Sequence, residues 1–266
     1  MPFLSSGQVE FFKTNGYLIV RQLIDSKTLE LLRGALMHIV GGHEEGIRRK
    51  LPVKFANGTK VTEFQGLWKT NPVFADFLNT SKLAEVASQL MGTAEVRLLY
   101  DQIFYKDAKI GGAVPCHQDY DYWQHISTPN IVTAWIAISN VTRESGCMYV
   151  IPGSHQWGLI DRFGSNIMKD SDPELFLKQD IIKEQTQKLV REPITLEPGD
   201  VSFHHSLLIH CSYPNTSNVS RLGYIHRYLP AEARYVESHD LHKTHEIHVR
   251  DGEFIRGSAF PLIWPH

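Results

Sequence analysis

Apolar residues recur at helical spacing through the first ninety positions, and from Val96 onward the period shortens to that of strands. Ser5 with Gln8 three residues on has the form of a capping box ahead of Val9, Phe11 and Phe12. Gly16 closes that helix, and Tyr17-Leu18-Ile19-Val20 is short enough for a strand. A second helix is expected from Asp25-Ser26, with Leu29, Leu32, Leu36 and Ile39 on one face. A third is expected from about Ser81 to Met91, ended by Gly92. The polar stretch from Gly41 to Lys69 reads as a loop long enough for a mobile or functional segment.

The later half is rich in strand formers. Strands are expected at Val96–Tyr105, Ile131–Ile138, Cys147–Ile151, Ile194–Leu196, Val201–His204 and Arg221–Leu229. Pro152-Gly153 and Pro198-Gly199-Asp200 supply turns between them. Helices first and strands afterwards predict an α+β fold, a β sandwich or barrel core with an early helical layer packed on it. No repeat or low-complexity linker divides the chain, so residues 1–266 are expected to form one domain, with 1–92 mainly helical support and 93–266 mainly β core and tail.

Composition narrows the function. Residues are 42% hydrophobic and 21% charged, an ordinary globular mixture. The net charge of -2 leaves no basic surplus for phosphates, which speaks against a nucleic-acid partner. No apolar run approaches the ~18 residues of a membrane-spanning helix. Three cysteines cannot build a disulfide framework, and neither end carries a sorting signal, so the expectation is a soluble protein of the cytoplasm. Nothing marks a protein partner. The 14 histidines are the feature that points to chemistry.

Cys116-His117-Gln118-Asp119 is the strongest local signal. In an extended segment residues two apart share a side, so His117 and Asp119 converge. With the distant His210 they make the two-histidine, one-carboxylate set that suits non-haem Fe(II) oxygenases. Arg221 opens an apolar strand eleven residues later. A guanidinium turned into a barrel is costly unless it meets an anion, and its fork is shaped for a carboxylate. His239, His242, His245 and His248 recur every third residue, a spacing that alternates faces on a strand, and read as a solvated tail or a rim over the pocket.

These residues, in this order, resemble the phytanoyl-CoA dioxygenase-like family of Fe(II)- and 2-oxoglutarate-dependent oxygenases. The likeness runs from about Val9 to Tyr228. It includes His117-Gln118-Asp119-Tyr120 with Trp123, Thr133-Ala134-Trp135, Ser145-Gly146 through Pro152-Gly153-Ser154-His155, Pro198-Gly199-Asp200, and His210-Cys211-Ser212 with Arg221. The segment Tyr120–Trp123 is also similar to that of ectoine hydroxylases, which act on a small soluble molecule. The resemblance implies a double-stranded β-helix of the jelly-roll, cupin-like kind. It implies Fe(II) on His117, Asp119 and His210, and 2-oxoglutarate held by Arg221 and Ser212, with Trp135 and Gln102 beside it. O2 is the implied oxidant and a small organic molecule the implied substrate.

One departure is visible. Relatives acting on acyl-CoA place an early lysine on the cosubstrate, and here Thr62 falls nearest that place, with Lys60 and Lys69 matching only by type. With no basic cluster for a CoA phosphate, this weighs against an acyl-CoA substrate. Asp119 fills the position that related halogenases leave to Gly or Ala, which implies hydroxylation or a related oxidation. The competing reading is a non-catalytic metal-binding barrel serving as a ligand-binding or sensory module; Arg221 with Ser212 weighs against it, because such a barrel needs no buried carboxylate clamp.

Overall fold

The computed structural model describes residues 2–41, 48–54, 60–80, 82–160, 174–185, 189–239, 247 and 249–265. Helix α1 (Ser6–Asn15) starts at the expected capping box: Ser5 Oγ accepts from the Gln8 amide, and the Gln8 side chain accepts from the Ser5 amide at 2.9 Å. Gly16 ends it at φ 79°, a left-handed conformation that suits glycine, and releases the chain into β1 (Tyr17–Val20). Asp25 caps α2 (Ser26–Val40) by accepting from the Thr28 amide, and Leu29, Leu32, Leu36 and Ile39 are its buried stripe.

The Gly41–Lys69 stretch is not simply a loop. Its described part contains β2 (Arg48–Lys54) and β3 (Lys60–Gln65), an antiparallel pair, followed by a short 3₁₀ turn at Leu67–Lys69. A charged edge hairpin carries too few apolar residues to announce itself by alternation. Two helices follow where one was expected: α3 (Pro72–Thr80) and α4 (Leu83–Met91), the latter ended by Gly92 at φ 67°. Pro72 sits in the first turn of α3, and Asn71 accepts from the Val73 amide there. Ser81 lies outside the described residues.

The strands are β4 (Val96–Lys106), β5 (Val114–His117), β6 (Val132–Ala137), β7 (Met148–Val150), β8 (Glu192–Ile194), β9 (Val201–His205), β10 (His210–Ser212), β11 (Arg221–Pro230) and β12 (Leu262–Trp264). A short helix α5 (Asp180–Gln185) precedes β8. The expected strand at Ile194–Leu196 lies two residues earlier, and Leu196 makes only a bridge to Val141. Every described strand pairing is antiparallel. The larger sheet runs β1-β9-β6-β11-β4-β3-β2 with β12 on β4, and the smaller runs β5-β10-β7-β8.

Strand alternation divides the larger sheet into two faces. Ala134, Ile136, Phe203, Tyr224 and Tyr228 pack against Leu32, Phe74, Phe77, Val86 and Leu90 of the helices. Their neighbours in sequence, Thr133, Trp135, His204, Ile225 and Arg227, face the other way and line a cavity together with residues of the smaller sheet. Among the described residues no helix is long and apolar enough to cross a membrane.

Candidate active site

His117 ends β5 and pairs across the smaller sheet with His210 at the start of β10, which brings the two rings to 4.2 Å between centroids. The extended reading of His117 to Asp119 is corrected in one respect: Asp119 opens a 3₁₀ turn (Asp119–Tyr122) rather than continuing the strand. Gln118 between them remains extended, so the carboxylate still returns toward His117.

The protonation pattern follows from the hydrogen bonds. His117 Nδ1 lies 2.7 Å from the Pro115 carbonyl, and His210 Nδ1 lies 2.9 Å from the Leu208 carbonyl. A carbonyl only accepts, so each Nδ1 carries a proton, and in the neutral ring each Nε2 then offers a lone pair. Those Nε2 atoms lie 3.5 and 3.7 Å from Asp119 Oδ1. Burial, then the neighbouring His117, keeps the His210 imidazole well below its ordinary pKa and hence neutral. Burial works to raise the Asp119 carboxyl, but its polar surroundings, the Arg227 charge among them, hold it well below the usual carboxylate range. Two imidazole lone pairs and a carboxylate oxygen turned on one another repel unless a cation stands among them. Among the described residues His117, Asp119 and His210 form a group that could hold a metal ion, with ligand atoms within 4.8 Å of one another. Asp119 Oδ2 is occupied separately, accepting from Thr133 Oγ1 at 3.0 Å, with His204 Nε2 at 3.4 Å.

Arg221 lies elsewhere on the cavity wall. It is buried, its Nη1 donates to the Gly146 carbonyl, and its guanidinium lies 5.2 Å over the Trp135 ring. Its Nε has no partner among the described residues, and burial lowers its pKa to about 10. Trp135 lies flat on β11 because Gly223 has no side chain: a Cβ there would stand 2.1 Å from the indole Cζ2. Ser212 lines the same wall.

Sequence reasoning missed Lys106. It pairs with Arg221 across β4 and β11, is fully buried, and its Nζ donates to Ser212 Oγ at 2.8 Å and the Tyr213 carbonyl at 2.6 Å. Burial and then the Arg221 charge depress its pKa well below the ordinary lysine range. Strand parity with Arg221 was the available signal, but it needs the register of two distant strands. Among the described side chains no earlier lysine takes this place: Thr62 pairs with Tyr105, so it shares the face opposite Lys106, and Lys69 is exposed; the Lys60 side chain lies outside the described residues.

Gln102 is buried and pairs with Ile225 across β4 and β11, on the cavity-facing side of the sheet. Its Oε1 accepts from Arg227 Nη1 at 2.6 Å and its Nε2 donates to Glu63 Oε2 at 2.7 Å. Arg227, which shares strand parity with Arg221, is buried and lines the cavity, 4.7 Å over the Tyr100 ring and 5.5 Å over the Trp123 ring. His239 is exposed in a 3₁₀ turn, while His242, His245 and His248 lie outside the described residues.

Comparison with known proteins places these features in a family. The profile of the phytanoyl-CoA dioxygenase (PhyH) family matches residues 12–223. The chain is 24% identical to a phytanoyl-CoA dioxygenase of Arabidopsis thaliana, over 83% of this chain and 87% of that one. It is 23% identical to a phytanoyl-CoA dioxygenase domain-containing protein 1 homolog of Dictyostelium discoideum, over 89% and 95%. Its fold is shared with the non-haem α-ketoglutarate-dependent carbocyclase SnoK of nogalamycin biosynthesis, at TM-score 0.78 and 23% identity over 98% and 97% of the two chains. It is also shared with EctD from S. alaskensis, solved with 2-oxoglutarate and 5-hydroxyectoine, at TM-score 0.73 and 18% identity over 95% and 86%.

Proposed function

The chain belongs to the phytanoyl-CoA dioxygenase family, and on that premise we propose that it is an Fe(II)- and 2-oxoglutarate-dependent dioxygenase that hydroxylates a small organic molecule, releasing succinate and CO2. The observation that carries this reading is the pairing, on one cavity, of three convergent ligand atoms with a buried guanidinium whose Nε has no described partner. His117, Asp119 and His210 fit a divalent iron, since their lone pairs need a cation between them. Arg221 and Ser212 fit the far carboxylate of a dicarboxylic acid. Fe(II) with 2-oxoglutarate as co-reductant supplies the activation of O2.

The protein's own residues do the rest. Thr133 holds Asp119 Oδ2, leaving Oδ1 to face the imidazoles. Lys106 donates to Ser212 Oγ, so the single Ser212 proton is free to point into the cavity beside Arg221. Trp135 walls the guanidinium from water. Gln102 holds Arg227 by accepting from its Nη1. Asp119 supplies a charged ligand where a halogenase needs an open position, which favours hydroxylation. We read the two sheets as the halves of a double-stranded β-helix, jelly-roll and cupin-like, within a single oxygenase domain acting in the cytoplasm.

Two variants test the assignment. Asp119→Ala should lose bound iron, because it removes the charged ligand. Arg221→Lys should bind iron normally while its affinity for 2-oxoglutarate falls at least tenfold, because a point charge cannot replace the fork. Unchanged iron content in the first, or unchanged 2-oxoglutarate affinity in the second, would contradict the roles given to these residues.

A further inference from the structure

Arg227 lies on the same face of β11 as Arg221, six residues along, about 20 Å of strand at the usual rise. Ile225 stands between them on that face, and Trp135 pairs with Ile225 from β6. The two guanidinium groups therefore address different ends of the cavity: Arg221 lies against Trp135, and Arg227 pairs with Thr133 on the Asp119 side.

The surroundings of Arg227 hold its plane and one of its edges. Tyr100 and Trp123 carry its ring-facing surface, and Gln102 Oε1 takes Nη1. The orientation of Gln102 has no freedom, because its amide nitrogen already donates to Glu63 and cannot face a cation. Glu63 thus reaches Arg227 only through the amide. Asp119 does not take the remaining donors either: Oδ2 accepts from Thr133, and Oδ1 faces the imidazoles. Among the described residues nothing bonds the edge formed by Nε and Nη2, and Nε is fully buried. That edge is the one that accepts a carboxylate with two parallel hydrogen bonds. Leaving it unmet in a buried guanidinium is costly.

We propose that Arg227 forms a second carboxylate-binding subsite, gripping a carboxylate of the bound ligands through its Nε–Nη2 edge at the Asp119 end of the cavity. The carboxylate belongs either to the substrate or to the metal-facing end of 2-oxoglutarate. The inference rests on the dioxygenase reading of the cavity only for the second source.

The experiment has two arms, run on the full chain loaded with Mn(II) as a redox-inactive metal. In the first, thermal denaturation at saturating 2-oxoglutarate is followed against butyrate and benzoate and against butyramide and benzamide. A rise in melting temperature with the acids alone, abolished in Arg227→Met and partly kept in Arg227→Lys, assigns the subsite to the substrate. In the second, calorimetry compares 2-oxoglutarate with glutarate. A tenfold or greater loss of 2-oxoglutarate affinity in Arg227→Met, with glutarate binding to the metal-free protein unchanged, assigns it to the cosubstrate. If the parent protein binds no 2-oxoglutarate, the dioxygenase reading falls, while the contrast of acids with amides still decides the role of Arg227. Parent-like responses of Arg227→Met in both arms would overturn the subsite. Should Arg227→Met not fold, Arg227→Lys carries the same comparison, with at least a threefold loss expected in one arm and none in either overturning the proposal.

Discussion

Lys106 and Arg221 stand opposite each other on β4 and β11, two fully buried cations whose shared neighbour is the hydroxyl-bearing Ser212 wall. Their hydrogen-bond partners among the described residues are the Ser212 hydroxyl and the Tyr213 and Gly146 carbonyls, with no carboxylate among them. Two such groups oppose folding through their desolvation, and an arriving carboxylate relieves them.

Replacing Lys106 with Met should therefore leave the melting temperature of the ligand-free protein unchanged or higher, while lowering 2-oxoglutarate affinity about tenfold or more. A charge-assisted hydrogen bond of about 1.5–3 kcal/mol sets that scale. Ser212→Ala should give a similar loss, and the double variant no more than the larger single one, because Lys106 acts through Ser212. Calorimetric titration of the three variants checks this; strictly additive losses would separate the two residues.

Thr133 makes the bond that leaves Asp119 Oδ2 occupied and Oδ1 facing the histidines. Thr133→Val keeps the shape and removes the hydroxyl. Metal affinity should fall about 10- to 100-fold, as loss of an outer hydrogen bond to a ligand usually causes. Competition with a chelator of known affinity measures it, and thermal denaturation should show a folded protein.

Gly223 gives Trp135 its place. Gly223→Ala would drive a Cβ to 2.1 Å from the indole, so the ring must move. Overpacking of this kind costs about 1–3 kcal/mol. The expected result is a lower melting temperature, a changed tryptophan emission, and weaker 2-oxoglutarate binding as Arg221 loses the ring beside it. Unaltered emission and binding would mean that the ring is not held as described.

The helix-side core predicts a pH dependence of its own. Asp101 is fully buried, and although it accepts from Tyr224 Oη and the Gly66 and Trp68 amides, burial raises its pKa to about 6. Its unfolded value is near 3.9, so between roughly pH 4 and 6 the folded state holds a proton that the unfolded state has lost. Stability from this group is present below that window and is lost as pH rises through it, by about 3 kcal/mol. Urea unfolding across pH 4 to 6.5 measures the slope, which Asp101→Asn should flatten.

How far the chain can be read without its structure differs by residue. His117, Asp119, His210 and Arg221 stand out only as a set in one order, which carries the family resemblance; each alone reads as an ordinary core or surface residue. The capping box at Ser5 and the stop at Gly16 are local devices and need no tertiary information. Lys106 was hidden, since a lysine near a strand end reads as solvated until Arg221 is found opposite. Arg227 is legible only in part: parity with Arg221 tells which face it takes, but not that Tyr100 and Trp123 cover that face. The β2–β3 hairpin escaped because its polar residues are held in the sheet by backbone pairing with β4, which side-chain periodicity does not register.

In the proposed function, His117, Asp119 and His210 hold the iron of a 2-oxoglutarate-consuming site. Its most direct test is succinate formation by the purified protein with Fe(II), 2-oxoglutarate and O2, beside Asp119→Ala. The parent should convert 2-oxoglutarate to succinate slowly even without its substrate, and only when Fe(II) and O2 are both present, while the variant should not. Equal succinate from Asp119→Ala, or none from an iron-loaded parent that binds 2-oxoglutarate, would contradict the account.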